Sequence, residues 1–83
     1  MFKIQLTPRA KRRLKGISKE FKPAIKEIFD EIRDDPLVGK PLGKKLVNQF
    51  SYKFGVYRII YRVNIQKRTI IILTAGHRST IYN

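Results

Sequence analysis

Lys53, Arg58, Arg62 and Arg78, with His77 and Tyr82 close by in the sequence, form a set of side chains suited to a phosphodiester. Arginine meets phosphate oxygens with a planar fork of donors, and lysine adds a compact point charge. If the substrate is RNA, its own 2′-hydroxyl can attack the neighbouring phosphorus. The protein then has three tasks: to deprotonate that hydroxyl, to stabilise the charged transition state and to protonate the departing 5′-oxygen. This route needs no metal ion. A Mg²⁺-dependent nuclease would need acidic oxygen ligands near the phosphate, and the chain has no Asp or Glu after position 35.

Charge partition reinforces that reading. The 83 residues carry 19 Lys and Arg against 6 Asp and Glu, a formal +13. All six acids, Glu20, Glu27, Asp30, Glu31, Asp34 and Asp35, fall between positions 20 and 35, so the C-terminal half has no side-chain counter-ions of its own. Such self-repulsion in a chain with 42% hydrophobic residues calls for a polyanionic or acidic partner. With no cysteine and one histidine, the sequence has neither a disulfide nor a usual Cys/His zinc site, and no cofactor is expected. The longest apolar run, Ile70 to Leu73, is far short of a membrane span, and Met1 to Leu6 lacks a signal-peptide pattern. The expectation is one cytoplasmic domain over residues 1–83, without a membrane partner.

The elements that must position these groups follow from periodicity. Phe2, Ile4 and Leu6 alternate with Lys3 and Gln5, the pattern of a half-buried strand. Thr7-Pro8 reads as an N-cap with proline in the first helical position, and Gly16 as a stop, which predicts a helix over Pro8–Lys15. Phe21, Ala24, Ile25, Ile28, Phe29 and Ile32 predict a second helix that tolerates Pro23 in its first turn and is closed by Pro36. Residues 35–44, with two prolines and two glycines, read as a surface loop. Three strands then follow, at Ser51–Phe54, Val56–Asn64 and Thr69–Thr74. The expected fold is α+β: an N-terminal strand, a two-helix hairpin and a three-stranded antiparallel meander, with the helices on one sheet face. Along the middle strand, Tyr57, Ile59, Tyr61 and Val63 point one way and Arg58, Ile60 and Arg62 the other, so Lys53 should join Arg58 across the hairpin.

Plainer readings exist for several of these residues. Tyr52, Tyr57 and Tyr61 fit core or cross-strand packing. Lys44 and Lys45 are either RNA contacts or solvated loop lysines, and Lys11-Arg12-Arg13 meets RNA, an acidic partner or water. A lone histidine such as His77 is more often structural than catalytic. Composition and periodicity alone therefore support a basic, phosphate- or RNA-binding protein.

Tyr57-Arg58-Ile59-Ile60-Tyr61, preceded by Tyr52-Lys53-Phe54 and followed by Gly76-His77-Arg78 and Tyr82, resembles the RelE/ParE superfamily of bacterial and archaeal type II toxins. The likeness covers essentially the whole chain, including the Lys45-Leu46 step into the sheet. It implies a RelE-like toxin that enters the ribosomal A site and cleaves mRNA as a metal-independent endoribonuclease, neutralised by an acidic, RelB-like antitoxin. Carried over by position, Arg58 and Arg78 would hold the scissile phosphate, and Lys53 would act as base or electrostatic stabiliser. Tyr82 would stack on or orient a base, and His77 would serve as acid or base. Lys44, Lys45 and Arg62 would contact RNA. ParE-like relatives share the strand motif and poison DNA gyrase, so a gyrase inhibitor without nuclease activity is the alternative.

Overall fold

The computed structural model describes residues 2–43 and 48–78. In chain order the elements are β1 (Lys3–Leu6), α1 (Pro8–Lys15), a 3₁₀ turn (Lys19–Phe21), α2 (Lys22–Asp34), β2 (Lys40–Pro41), β3 (Gln49–Phe54), β4 (Tyr57–Asn64) and β5 (Thr69–His77). The strands form one sheet in the order β1-β5-β4-β3-β2. The three C-terminal strands pair antiparallel as the meander predicted, and β1 lies parallel to β5 along Lys3–Leu6 and Thr69–Ile72.

Strand β3 begins two residues earlier than the sequence predicts, at Gln49, and β4 one later, at Tyr57; two larger differences change the sheet itself. Within the expected 35–44 loop, Lys40 and Pro41 pair with Ser51 and Phe50, which adds a two-residue edge strand. A proline donates no ladder hydrogen bond, so such a strand is short and confined to an edge. The last strand runs to His77 instead of stopping at Thr74, because its pairing with β4 continues as Ile59 with Ala75, Arg58 with Gly76 and Tyr57 with His77.

The helix starts follow the predicted chemistry. Thr7 caps α1: its hydroxyl oxygen accepts the Ala10 N–H at 3.0 Å and its O–H donates to the Leu73 carbonyl at 2.9 Å. Leu73 is the extra residue of a bulge, since Ile60 pairs with Thr74 and the next residue, Tyr61, with Ile72. One side chain therefore both begins the helix and satisfies the carbonyl of the irregular strand position. At the other end, α2 stops at Asp34, and Asp35 turns to an extended conformation as expected before Pro36.

Both helices cover one sheet face. Ala10, Ile17, Ile25, Ile28 and Ile32 meet Phe50, Ile59, Tyr61, Val63, Ile70 and Ile72 in a single buried cluster. Tyr61 is wholly buried; its O–H donates to the Pro36 carbonyl and its oxygen accepts the Gly39 N–H, each at 2.9 Å. Burial pushes its phenol pKa up, partly offset by the Gly39 hydrogen bond. This pair of bonds pins the 36–39 segment over the core. Gly39 must be glycine for want of room, because a Cβ there would lie 2.7 Å from the Tyr61 hydroxyl and 3.1 Å from Phe50 Cβ.

Candidate functional site

The opposite sheet face carries the basic residues. Register places Lys53 directly across from Arg58, as the alternation predicted, and Arg58 directly across from Gly76 on β5. Among the described residues, a Cβ at Gly76 would meet nothing within 4 Å on that flank of Arg58. The ladder continues one step beyond β5, where the Arg78 N–H donates to the Val56 carbonyl at 2.8 Å. Counting by twos from Gly76 carries Arg78 to the face of Arg58 and Lys53. Arg62 lies four residues further along β4 on that face and is exposed, flanked by Gln49 and Ile71.

A less polar row separates these cations. Ser51, Ile60 and Thr74 stand side by side across three strands, and all three are buried. The Ser51 hydroxyl and the Arg58 Nε are both buried with no hydrogen-bond partner among the described residues. An unmet N–H on a guanidinium is costly, because the group is desolvated without a replacement acceptor. Among the described residues the one side-chain carboxylate ion pair is Asp30 with Arg33 on α2, so no cation of the sheet face is neutralised from within. The acids gather on the 3₁₀ turn, on α2 and at Asp35, across the core from this face.

His77 does not join the group. Its partner in the ladder is Tyr57, and the two rings meet edge to face with centroids 6.1 Å apart, on the helix side of the sheet. Neighbouring residues in a strand point to opposite faces, so adjacency to Arg78 in sequence separates His77 from it in space. Tyr57 in turn packs against Phe21 and Phe54, with centroids at 5.2 and 5.5 Å. Tyr82, Lys44 and Lys45 lie outside the described residues.

Two further residues, Ser51 and Tyr52, shape the site although their sequence context marks neither as functional. Ser51 follows from the same alternation that placed Lys53, yet nothing in a serine's neighbours marks its hydroxyl as unmet. Tyr52, on the helix side of β3, donates to Glu31 Oε2 at 2.5 Å and ties the strand carrying Lys53 to α2. That hydrogen bond, then burial and the Glu31 charge, push the Tyr52 phenol up to about 12.

The face thus offers Lys53 with Arg58, Arg62 and Arg78, none of them in an ion pair among the described residues; Glu31, hydrogen-bonded to Tyr52, reaches only the cleft at the β2 edge that Lys53 also lines. Such a surface suits a phosphate that gains negative charge as it reacts.

A family profile described as the ParE toxin of the type II toxin-antitoxin system parDE matches residues 4–82. Toxin RelG of Mycobacterium tuberculosis is 35% identical over 83 residues, covering 98% of this chain and 95% of that protein. Among solved structures, a RelBE toxin-antitoxin complex from Mycobacterium tuberculosis aligns with a TM-score of 0.82 at 34% identity, over 93% of this chain and 98% of that one. The isolated E. coli RelE toxin shares the fold at a TM-score of 0.82 and 19% identity, over 99% of this chain and 92% of that one.

Proposed function

The chain belongs to the RelE/ParE superfamily and is a type II toxin-antitoxin toxin, and from that premise we propose that it is a ribosome-dependent, metal-independent endoribonuclease acting on mRNA in the A site. One observation carries the reading. Register sets Arg58 directly across from Lys53 on a sheet face where, among the described residues, no cation is held in an ion pair, which is an arrangement an RNA phosphate would complete.

The reaction follows from the RNA's own chemistry. The 2′-oxygen attacks the adjacent phosphorus while its proton passes to a base. The bond from phosphorus to the 5′-oxygen breaks, and that oxygen takes up a proton. The products are a 2′,3′-cyclic phosphate and a 5′-hydroxyl. Arg58 and Arg78 hold the phosphate oxygens and stabilise the charge that grows on them. Lys53, directly across from Arg58, removes the 2′-proton or stabilises the same charge. Tyr82 stacks on a base beside the cut. His77 lies on the other face of the sheet, where its ring meets Tyr57.

An acidic antitoxin is the second partner in this reading. Relatives have been solved as complexes with RelB antitoxins, and a flexible acidic segment laid over Arg58 and Arg78 would offset the +13 charge and cover the site. Pair affinity should then fall markedly with salt.

The deciding test is cell-free translation with the purified protein, mapping mRNA ends by primer extension, with Arg78→Ala as control. Cuts within the A-site codon that vanish in the control are expected. Intact message together with inhibited DNA supercoiling would replace this reading with a gyrase inhibitor.

A further inference from the structure

At the far end of the same sheet face, where β4 turns into β5, lies a cleft of about 400 Å³. Its lining mixes Arg62, the amide-bearing residues Asn48, Asn64 and Gln66, and the apolar residues Val63, Ile65 and Ile71. The volume falls in the ~300–1,000 Å³ range of small-molecule sites, which pair apolar walls with a few placed polar groups. Among the described residues no carboxylate lines it, whereas the cleft at the β2 edge includes Glu31. Lys67 and Arg68, in the adjoining turn, add positive charge.

The chemistry of the lining is that of a nucleobase site. Amides can pair with donor and acceptor groups on a base edge, and Asn64 already commits its side-chain oxygen to the Lys67 N–H at 3.0 Å, which leaves its NH₂ as a donor. A guanidinium plane is a stacking surface for unpaired bases, and an exposed isoleucine such as Ile65 offers apolar contact. Position matters as much as composition. Arg62 stands four residues from Arg58 along one strand, about 13 Å away at ~3.3 Å per residue. That is about four steps of a stacked strand at ~3.4 Å each and fewer of an extended one. RNA with one phosphate at Arg58 therefore reaches the cleft within a few nucleotides.

We propose that this cleft is a base-binding subsite for single-stranded RNA, holding a nucleotide a few positions from the phosphate at Arg58. The inference rests on the proposed RNA-binding role of the sheet face. Its contribution is to affinity and sequence preference, with Arg62 positioning the strand and Gln66 reading the base.

The test uses the intact protein and fluorescence anisotropy with uncleavable 2′-O-methyl oligonucleotides: a dinucleotide, an octanucleotide and an octanucleotide whose sugars lack bases. Arg62 and Gln66 are exposed, so Arg62→Ala and Gln66→Ala leave the fold unburdened. Gln66→Ala should weaken the base-bearing octamer roughly 2- to 12-fold, the range for one hydrogen bond, and leave the abasic octamer unchanged. Arg62→Ala should lower the slope of log affinity against log salt by ~0.7 for the octamer and leave the dinucleotide unchanged. If Arg58→Ala weakens all three ligands while Arg62→Ala and Gln66→Ala bind as wild type, the subsite is wrong and the phosphate site stands. Equal loss for base-bearing and abasic octamers in Gln66→Ala would also overturn base recognition. If Arg58→Ala changes nothing either, the RNA-binding reading of the face fails, and the subsite with it.

Discussion

Replacing Arg58 by methionine should abolish RNA cleavage and make the free protein more stable. The argument is local. Methionine keeps an unbranched stem of similar reach, so the packing of the side chain's inner half survives. What is lost is a buried Nε with no acceptor among the described residues and a like charge directly across the ladder at Lys53. An unsatisfied buried donor costs about 1–3 kcal/mol, and a cross-strand pair contributes ~0.2–1 kcal/mol, here in the unfavourable sense. Arg58 is only half-buried, so the lower end applies and the expected gain is about 1 kcal/mol. In a domain of this size that corresponds to a rise in Tm of roughly 4–8 °C. The assay is thermal unfolding followed by circular dichroism at low and high salt, with and without inorganic phosphate. The gain should shrink in high salt, where the Lys53 repulsion is screened, without vanishing. Phosphate should raise the Tm of the wild type more than that of Arg58→Met, because a ligand stabilises the state that binds it. A Tm equal to or below wild type in phosphate-free, low-salt buffer would refute the reasoning, since it would mean that the guanidinium is already satisfied within the fold.

Three further outcomes are expected. Gly39→Ala should destabilise by about 1–3 kcal/mol in urea unfolding, because the new methyl meets the buried Tyr61 hydroxyl at 2.7 Å; a midpoint indistinguishable from wild type would show that the 36–39 segment is not pinned. Thr7→Val should cost about 1–2 kcal/mol by removing both the helix cap and the donor to Leu73, while Thr7→Ser retains most of the stability; equal losses in the two variants would assign the effect to packing instead. The Tyr52 phenol is raised to about 12 from the ordinary 10.0, so its folded-state hydrogen bond to Glu31 contributes fully below pH 10.0 and is lost as pH climbs through about 12. The stability gap between wild type and Tyr52→Phe should therefore be constant across neutral pH and close over that alkaline window; a gap that closes on acidification below pH 8 while staying fixed in alkali would contradict the assignment.

Much of this architecture is legible in residue order, and the parts that are not have identifiable physical causes. The two helices announce themselves because capping and apolar spacing are local properties: Thr7-Pro8 begins one, and Pro36 ends the other. The Lys53 and Arg58 pairing could be read because a short hairpin around Gly55 fixes register within a few residues. The parallel docking of β1 on β5 is non-local and leaves no mark in either strand. β2 is hidden because two residues, one a proline, have no periodicity to detect. The Leu73 bulge shifts the pairing of β5 by one, and a bulge has no composition of its own here. His77 shows the opposite failure. Adjacency in sequence sets it beside Arg78, but the alternation that separates Arg58 from Tyr57, carried past Thr74, puts it on the helix side. The Arg58 Nε, buried without a partner among the described residues, leaves no trace in residue order, because burial is a property of packing.

The parallel pairing of β1 with β5 also governs how the chain is made. The hydrogen bond from Thr7 to Leu73 closes a separation of 66 residues, whereas the β3-β4-β5 meander can zip through short turns. Loop closure over such a span is slow relative to hairpin formation. Until β1 arrives, β5 is an edge strand displaying Ile70, Ile71, Ile72 and Leu73 with an unpaired backbone. An apolar, β-branched run of this kind is a template for intermolecular pairing, guarded on its N-terminal side by Lys67 and Arg68. Newly synthesised chains are therefore most prone to aggregate in the interval before their first strand docks, and mutations that delay that docking, such as Thr7→Val, should lower soluble yield more than they lower the stability of the protein that does fold.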